Sequence, residues 1–422
     1  MKKYRLNSTV DIIGAFWPPD NPKDFTTGSL SSQDDRLYFL AAPEYKEKLS
    51  DEELRKQFEA WGSPRSWKEI NVLQGQTREG HCTLLDLVEH NSDGLVDHAK
   101  RLEISAARWW VGSAIIGLHV GSHDAEDLDG AAFYLSKIKT LLPRADNIRF
   151  TEEGVTRVAP LEARNYFSFS SVELQAEINC QIFAGTEKQK SVPRIRVLPR
   201  TMKSVDWFWR IGPRLESFFT LFLGTSLSLK TVQLFRGDEI GWLIRRFRSR
   251  QEKTDYQCFI RCEPHQMAFA LANWLAVPLT HRPIERVVLN MLRKSSLFVE
   301  TEFLSLAQAL EGFARLRFET DPKSKKLTFA DGIRQTYDLL SLDFAGKLLG
   351  DKSTFTSQVL QTRNYFTHLE SRKGPSVVDG GKDLFLLNQR IHAFLRCVML
   401  IDIGVLEQVL REPILHHSTR WK

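Results

Sequence analysis

A change of hydrophobic period near residue 267 constrains this chain more than any other feature. Upstream of it, short alternating runs such as Arg36-Leu37-Tyr38-Phe39-Leu40 and Arg194-Ile195-Arg196-Val197-Leu198 stand between clusters of Gly, Pro, Asn and Asp. That is the pattern of strands with one buried face. Downstream, Phe303, Leu306, Leu310 and Phe313 recur at helical spacing, as do Leu384, Leu387, Ile391, Phe394, Val398, Ile401, Val405 and Val409. Apolar residues every three or four positions make one helix face. The expected fold class is therefore α+β and multidomain: a β-rich, sandwich- or barrel-like N-terminal domain, then an all-α helical bundle. The boundary is set between Pro278 and Pro283, giving domains 1–280 and 281–422. Within the first domain, helices are expected at Asp51–Trp61 behind a Ser50 cap, at Gly130–Leu142 and at Val205–Leu223. Breaks in the second fall at Asp321-Pro322-Lys323-Ser324, Gly350-Asp351, Gly374-Pro375 and Gly380-Gly381.

Composition enters as a filter. With 42% hydrophobic and 26% charged residues, the chain has enough apolar mass for a substantial core and is not a disordered sequence. The greasiest run, Trp207 to Leu223, is interrupted by Arg210, Arg214 and Glu216, so no membrane span is expected. The basic start, Met1-Lys2-Lys3-Tyr4-Arg5, lacks a following apolar segment, which argues against export. Five scattered cysteines (Cys82, Cys180, Cys258, Cys262, Cys397) fit reduced thiols and a cytoplasmic location better than a disulfide framework. Of the net charge of +6, +5 lies in residues 281–422, which hold 21 Lys and Arg against 16 Asp and Glu. A basic surplus of this kind suits a polyanionic partner.

The chemistry concentrates in Arg363-Asn364-Tyr365-Phe366-Thr367-His368, inside a helix expected from about Ser353 to Arg372. Asn364 and His368 are four apart and share a face, so the amide can orient the imidazole as a general acid/base. Arg363 and His368 are five apart, about 140° around a helix at ~100° per residue, and so do not share a face. The fixed cation of Arg363 suits charge developing on a phosphate, and the set suits phosphodiester chemistry. On residue types alone the same pattern also fits a surface histidine at a helix end. Arg164-Asn165-Tyr166-Phe167-Ser168-Phe169 repeats the first four letters without the histidine, in a strand-like stretch.

An all-helical C-terminal domain carrying R-N-x-x-x-H on a late helix resembles the HEPN superfamily of ribonucleases, and this combination resembles the ApeA-like HEPN proteins. The likeness extends to Glu302-Phe303-Leu304-Ser305-Leu306-Ala307-Gln308-Ala309-Leu310-Glu311 and to Thr362. In the N-terminal part it extends, more loosely, to Thr26-Thr27-Gly28-Ser29-Leu30 and Leu73-Gln74-Gly75-Gln76-Thr77. The resemblance implies metal-independent endoribonuclease activity, with no cofactor, in bacterial antiphage defence by abortive infection. In it the ribose 2′-hydroxyl attacks the adjacent phosphate and leaves a 2′,3′-cyclic phosphate. His368 then moves the proton, Arg363 stabilises the transition state and Asn364 supports. The resemblance also implies a homodimer, or a higher oligomer, with the cleft built from two copies of the motif, and a phage-derived trigger acting on the first domain. A tRNA loop is the expected RNA, because single-stranded loops leave their 2′-hydroxyls free to align. Glu311 has two readings: a bridge to Arg363, or an i,i+4 pair with Arg315.

Cys258, Cys262 and His265 lack the fourth ligand and tight spacing of a zinc site. His119, His123, Asp124, Glu126, Asp127 and Asp129 could hold a divalent ion but read as a solvated loop. Arg245, Arg246, Arg248 and Arg250, near Trp242, alternate cations with rings as an RNA-binding run does, or form a solvated face. Trp207, Trp209, Phe218, Phe219 and Phe222 read as core. Two rival functions stay open: a non-catalytic dimeric binding or sensor module whose helices are structural, and a metal-dependent hydrolase built on His119 to Asp129.

Overall fold

The computed structural model describes residues 4–33, 36–41, 44–45, 71–97, 102–138, 148–151, 154–157, 165–170, 174–183, 190–245, 259–276, 282–293, 298–319, 326–368 and 374–419. The expected helix at Asp51–Trp61 and the breaks at Pro278 and Asp321–Ser324 lie outside these residues. The chain forms two compact units: residues 1–136, 171–212 and 229–249, and residues 137–170, 213–228 and 250–422. Each unit is discontinuous in sequence, where the sequence pattern placed one cut at 280.

The first unit is built on strands β1 (Asp11–Trp17), β2 (Thr26–Gln33), β3 (Arg36–Ala41), β4 (Glu44–Tyr45), β5 (Val72–Thr77), β6 (Gly80–Asp97) and β7 (Leu102–Ile116). Their antiparallel pairings run β7-β3-β2-β1-β5-β6 and return to β7, which closes a six-stranded barrel. Closure removes free sheet edges. Inward side chains fill the interior, among them Phe16, Leu30, Phe39, Leu73, Leu84 and Trp109, with Phe16 and Phe39 edge to face at 4.8 Å. The two N-terminal stretches that carry the family likeness fall on β2 and β5, on either side of β1. Gly28 and Gly75 stand there because a Cβ would meet the rings of Phe39 and Phe16, each at 2.5 Å.

Beyond the barrel, β7 keeps β6 on one edge. It passes its other edge from β3, at Arg108 to Val111, to β15 (Glu239–Ile244), at Ala114 to Ile116. From β15 the sheet continues through β14 (Leu229–Arg236), β8 (Gly130–Leu135), β13 (Lys190–Pro199) and β12 (Leu174–Phe183). The helix expected at Gly130–Leu142 is instead strand β8 over its first six residues, all of them buried. A central strand covered on both faces gives a continuous apolar run without alternation, which period alone does not separate from a buried helix.

Helix α1 (Val205–Leu223) occupies its expected span, and the division between the units falls within it, after Gly212. In the second unit, strands β9 (Ile148–Thr151) and β10 (Gly154–Arg157) form a hairpin, and β11 spans Asn165–Ser170. The Arg164–Phe169 copy of the motif thus lies on a strand from Asn165 onward. The helices are α2 (Pro264–Ala276), α3 (Arg282–Arg293), α4 (Val299–Phe318), α5 (Phe329–Tyr337), α6 (Leu342–Leu349), α7 (Lys352–His368), α8 (Gly381–Asp402) and α9 (Glu407–Ser418). α4 and α8 form the centre, where Phe303, Leu306, Leu310, Leu384, Ile391, Phe394 and Val398 are fully buried.

The apolar stripe from Leu384 to Val409 is not one helix. It stops at Asp402 because Gly404 adopts φ +94°, and Val405 and Val409 follow in a separate segment. Among the described residues one helix, α8, is long and apolar enough to cross a membrane, and 67% of its apolar window is buried within the protein, as for a core helix. Phe218, Phe219 and Phe222 are core, as their spacing indicates, whereas Trp207 and Trp209 are only half-buried.

Two arginines cap helix ends in this unit. Arg214 on α1 donates to the carbonyls of Trp274 and Leu275 at the end of α2. Arg396, 3% exposed on α8, donates to Leu221 O at 2.5 Å and Phe222 O at 3.0 Å at the end of α1. The last carbonyls of a helix have no partner within it, and a cation there also opposes the negative end of the helix dipole.

Candidate active site

Arg363, Asn364 and His368 all lie on α7. The helix starts where Gly350 takes φ +86° and the Asp351 carboxylate accepts the Thr354 N–H at 2.9 Å. Phe355 and Val359, both fully buried, fix it to the bundle. It runs antiparallel to α4: Phe366 lies 6.1 Å from the Phe303 ring, while Arg363, one turn back, reaches Glu311.

Arg363 is anchored from two helices. Its Nη2 lies 3.6 Å from Glu311 Oε2 on α4, and its guanidinium sits 5.5 Å over the Phe329 ring at the start of α5. Glu311 Oε1 also accepts a 2.7 Å hydrogen bond from Arg315 Nη2. Both readings of Glu311 therefore hold at once, one carboxylate oxygen for each arginine. The Arg363 side chain remains 31% exposed. Sequence reasoning missed Phe329, because a lone phenylalanine on another helix carries no signal for this contact.

His368 is the last residue of α7 and is exposed. Among the described residues its side chain has no hydrogen bond or ion pair. The Asn364 amide oxygen accepts instead from Arg363 Nη1, at 3.4 Å. Helical geometry directs Arg363 toward α4 and α5 and His368 along a different face.

A turn after α7 folds back on the helix. The Val377 N–H donates to Gly374 O at 3.2 Å, with Pro375 in the first central position that suits its fixed φ. Three side chains of α7 hold it. The Ser376 N–H donates to Gln361 Oε1 at 3.0 Å, Ser357 Oγ lies 3.2 Å from Ser376 Oγ, and the Val378 N–H donates to Thr362 Oγ1 at 3.0 Å. Gln361 Nε2 also donates to Ser357 Oγ at 3.0 Å, and Thr362 is fully buried.

The remaining candidates are dispersed. The Arg245 guanidinium stacks 4.6 Å over Trp209, and its N–H donates to Leu6 O at 3.1 Å. Arg246, Arg248 and Arg250 lie outside the described residues. His119 Nε2 is 2.9 Å from Gly75 O and its ring lies 4.3 Å from that of His81, tilted by 54°, while His123 faces Asp86 at 3.8 Å. Asp129 accepts from the Gly237 N–H, and Asp127 faces Arg236 at 3.7 Å. Burial pushes the His119 pKa down first; the Gly75 carbonyl opposes this, and His81 and Arg236 add to it. Among the described residues no three His, Cys, Asp or Glu side chains gather as metal ligands. Cys258 lies outside them. Cys262 is a free thiol in an irregular stretch before α2, its pKa pushed up to about 12 by burial and then by Glu263.

An accessible guanidinium held by a carboxylate, with an accessible imidazole at the end of the same helix, is a pair suited to cleaving phosphodiesters. No curated protein and no solved structure is detectably similar to the chain. Residues 304–409, which include this pair, match the Apea-like HEPN domain. HEPN domains are generally nucleases that commonly dimerise and bind RNA, and the ApeA-like members serve antiphage defence. Residues 11–272, the larger part of the chain, match ApeA N-terminal domain 1. With a barrel-bearing first part and a helical second part each matching its counterpart in order, the chain belongs to the ApeA-like HEPN family.

Proposed function

We propose that this protein is a metal-independent endoribonuclease that halts growth of a phage-infected bacterium by cleaving RNA, with a tRNA loop as substrate. The observation that supports it best is the placement of Arg363, anchored to Glu311 yet 31% exposed, on the helix that ends in exposed His368. In this reaction the ribose 2′-oxygen bonds to the adjacent phosphorus and the bond from phosphorus to the 5′-oxygen breaks. His368 takes the proton from the 2′-hydroxyl, and a proton returns to the leaving 5′-oxygen. Arg363 offsets the charge that builds on the non-bridging oxygens. Asn364 orients the guanidinium to which it is hydrogen-bonded.

The divergence of Arg363 and His368 around α7 is met by a homodimer, in which two motif helices face one RNA and each supplies part of the cleft. Residues 1–280 act as the sensory part, on which a phage-derived trigger works, in the cytoplasm of the host. The basic run from Arg245 to Arg250 guides the RNA.

The test is cleavage of total bacterial RNA in excess EDTA by the purified protein and by His368→Ala, with product ends analysed. The expected result is chelator-resistant cleavage to 2′,3′-cyclic phosphates that is lost in the variant. Cleavage unchanged in His368→Ala removes this motif as the active site, and cleavage lost in EDTA replaces the mechanism with a metal-dependent one.

A further inference from the structure

Ser357, Gln361 and His368 fall on one stripe of α7. Gln361 and His368 are seven residues apart, so at ~100° per residue they differ by only about 20° around the axis, and they are separated by about 10 Å along it. The Gly374–Val377 turn lies against this same stripe through Ser357 and Gln361, and Thr362, fully buried, holds Val378 from the adjoining position. Arg363 projects from the other side, toward Glu311 and Phe329. The end of α7 is thus gripped on two sides, by α4 and α5 at the arginine and by the turn on the histidine stripe.

A helix end frays unless something ties it, because its last four carbonyls have no partner within the helix. His368 sits at that end. We infer that Gln361 and Thr362 are positioning residues for the Arg363–His368 pair: by stapling the 374–378 strap to α7 they hold the helix end in the geometry the reaction needs. The close approach is built into the sequence at Gly374, where a Cβ would lie 2.7 Å from Gln361 Oε1. Neither residue touches the reacting atoms. Their effect passes through the helix, where a displacement of about 1 Å costs on the order of a hundredfold in rate.

This inference rests on the ribonuclease reading for its catalytic consequence but not for its structural one, and the experiment separates the two. Hydrogen exchange on the full-length chain is measured for the parent, Thr362→Val, Thr362→Ser and Gln361→Leu, beside RNA cleavage kinetics for the same four proteins and His368→Ala. Thr362→Val keeps shape and removes the acceptor; Thr362→Ser keeps the acceptor. The expected result is exchange at the amides of residues 363–368 and 376–378 faster by about tenfold or more in Thr362→Val and Gln361→Leu, with α4 and α8 unchanged and Thr362→Ser like the parent. Alongside it, kcat falls about tenfold to a hundredfold while KM stays within about twofold, again restored in Thr362→Ser. Unchanged exchange at 363–368 when the Val378 amide is released overturns the inference, as does loss of activity that appears in KM alone. Full activity of His368→Ala removes the Arg363–His368 motif as the active site instead, and leaves the exchange result to decide whether the strap governs the helix end.

Discussion

Replacing Arg396 with Met tests whether a buried cation holds the end of α1. The side chain is 3% exposed and gives hydrogen bonds to Leu221 O and Phe222 O. Met has similar length and no donor, so packing is largely kept while Leu221 O loses the Arg396 donor and Phe222 O is left with the Ile260 N–H. A buried carbonyl left unsatisfied costs ~1–3 kcal/mol, and losing a cation from a helix C-terminus adds ~0.5–1 kcal/mol. Against this, the cation no longer has to be desolvated, which returns part of the loss. The expected net is about 3 kcal/mol, a local opening constant raised on the order of a hundredfold. A chain with two compact units does not unfold in one step, so the assay is residue-resolved hydrogen exchange. Amides in the last two turns of α1 and in the middle of α8 should exchange on the order of a hundredfold faster, with barrel amides unaffected. Arg396→Lys, which keeps the charge and one hydrogen bond, should fall between. If the Met variant exchanges like the parent at α1, the hydrogen bonds contribute nothing net and the capping argument fails.

Three further expectations concern the rest of the protein. Burial first, and then His81 and Arg236, holds His119 below its ordinary value despite the Gly75 carbonyl, so its contribution to barrel stability is present above about pH 6.5 and is lost as pH falls; a thermal-melt pH series should show that acid loss flattened in His119→Gln. Burial pushes Glu407 up, but hydrogen bonds from the Ser341 N–H and hydroxyl and from Arg411 outweigh it and leave its pKa low. Its contribution is therefore present above the ordinary carboxylate value and disappears as pH drops through the lower folded one; in Glu407→Gln, acid unfolding of the helices should lose that part of its pH dependence. Gly75→Ala puts a methyl 2.5 Å from Phe16 Cδ1 and 2.8 Å from Ala15 O, and overpacking of this kind costs ~1–3 kcal/mol, visible in urea denaturation followed by Trp fluorescence.

Helices were legible where their stripes are long: Phe303 to Phe313 is buried as its spacing requires, and α1, within the β-rich domain, spans Val205–Leu223 as expected. Two readings failed for the same reason, that period reports burial and not chain path. β8 is apolar on both faces, so no alternation marked it as a strand, and Gly404 turns the chain where the apolar stripe continues unbroken. Barrel closure was out of reach because β1 meets β5 across about fifty-five intervening residues with no local signal. At the site, Arg363, Asn364 and His368 could be placed on one helix, and their divergence computed, from spacing alone. The partners of Arg363 could not: Glu311 had two plausible neighbours and takes both, and Phe329 arrives from another helix. The strap left a faint trace in Gly374-Pro375 and in polar residues at 357, 361 and 362, but its docking depends on a chain reversal that no pattern encodes.

The discontinuity of the second unit has a consequence for synthesis. All six barrel strands lie within residues 11–116, so the barrel can close on the ribosome as soon as that stretch has emerged. The helical unit draws on residues 137–170 and 213–228 but cannot complete its centre until α8 is made, more than 250 residues after β7. At 5–20 residues per second that is a lag of roughly ten seconds to a minute. The motif helix therefore reaches its folded setting only on a chain whose barrel strands have long since emerged, and no nascent chain carries that helix folded ahead of the domain that precedes it.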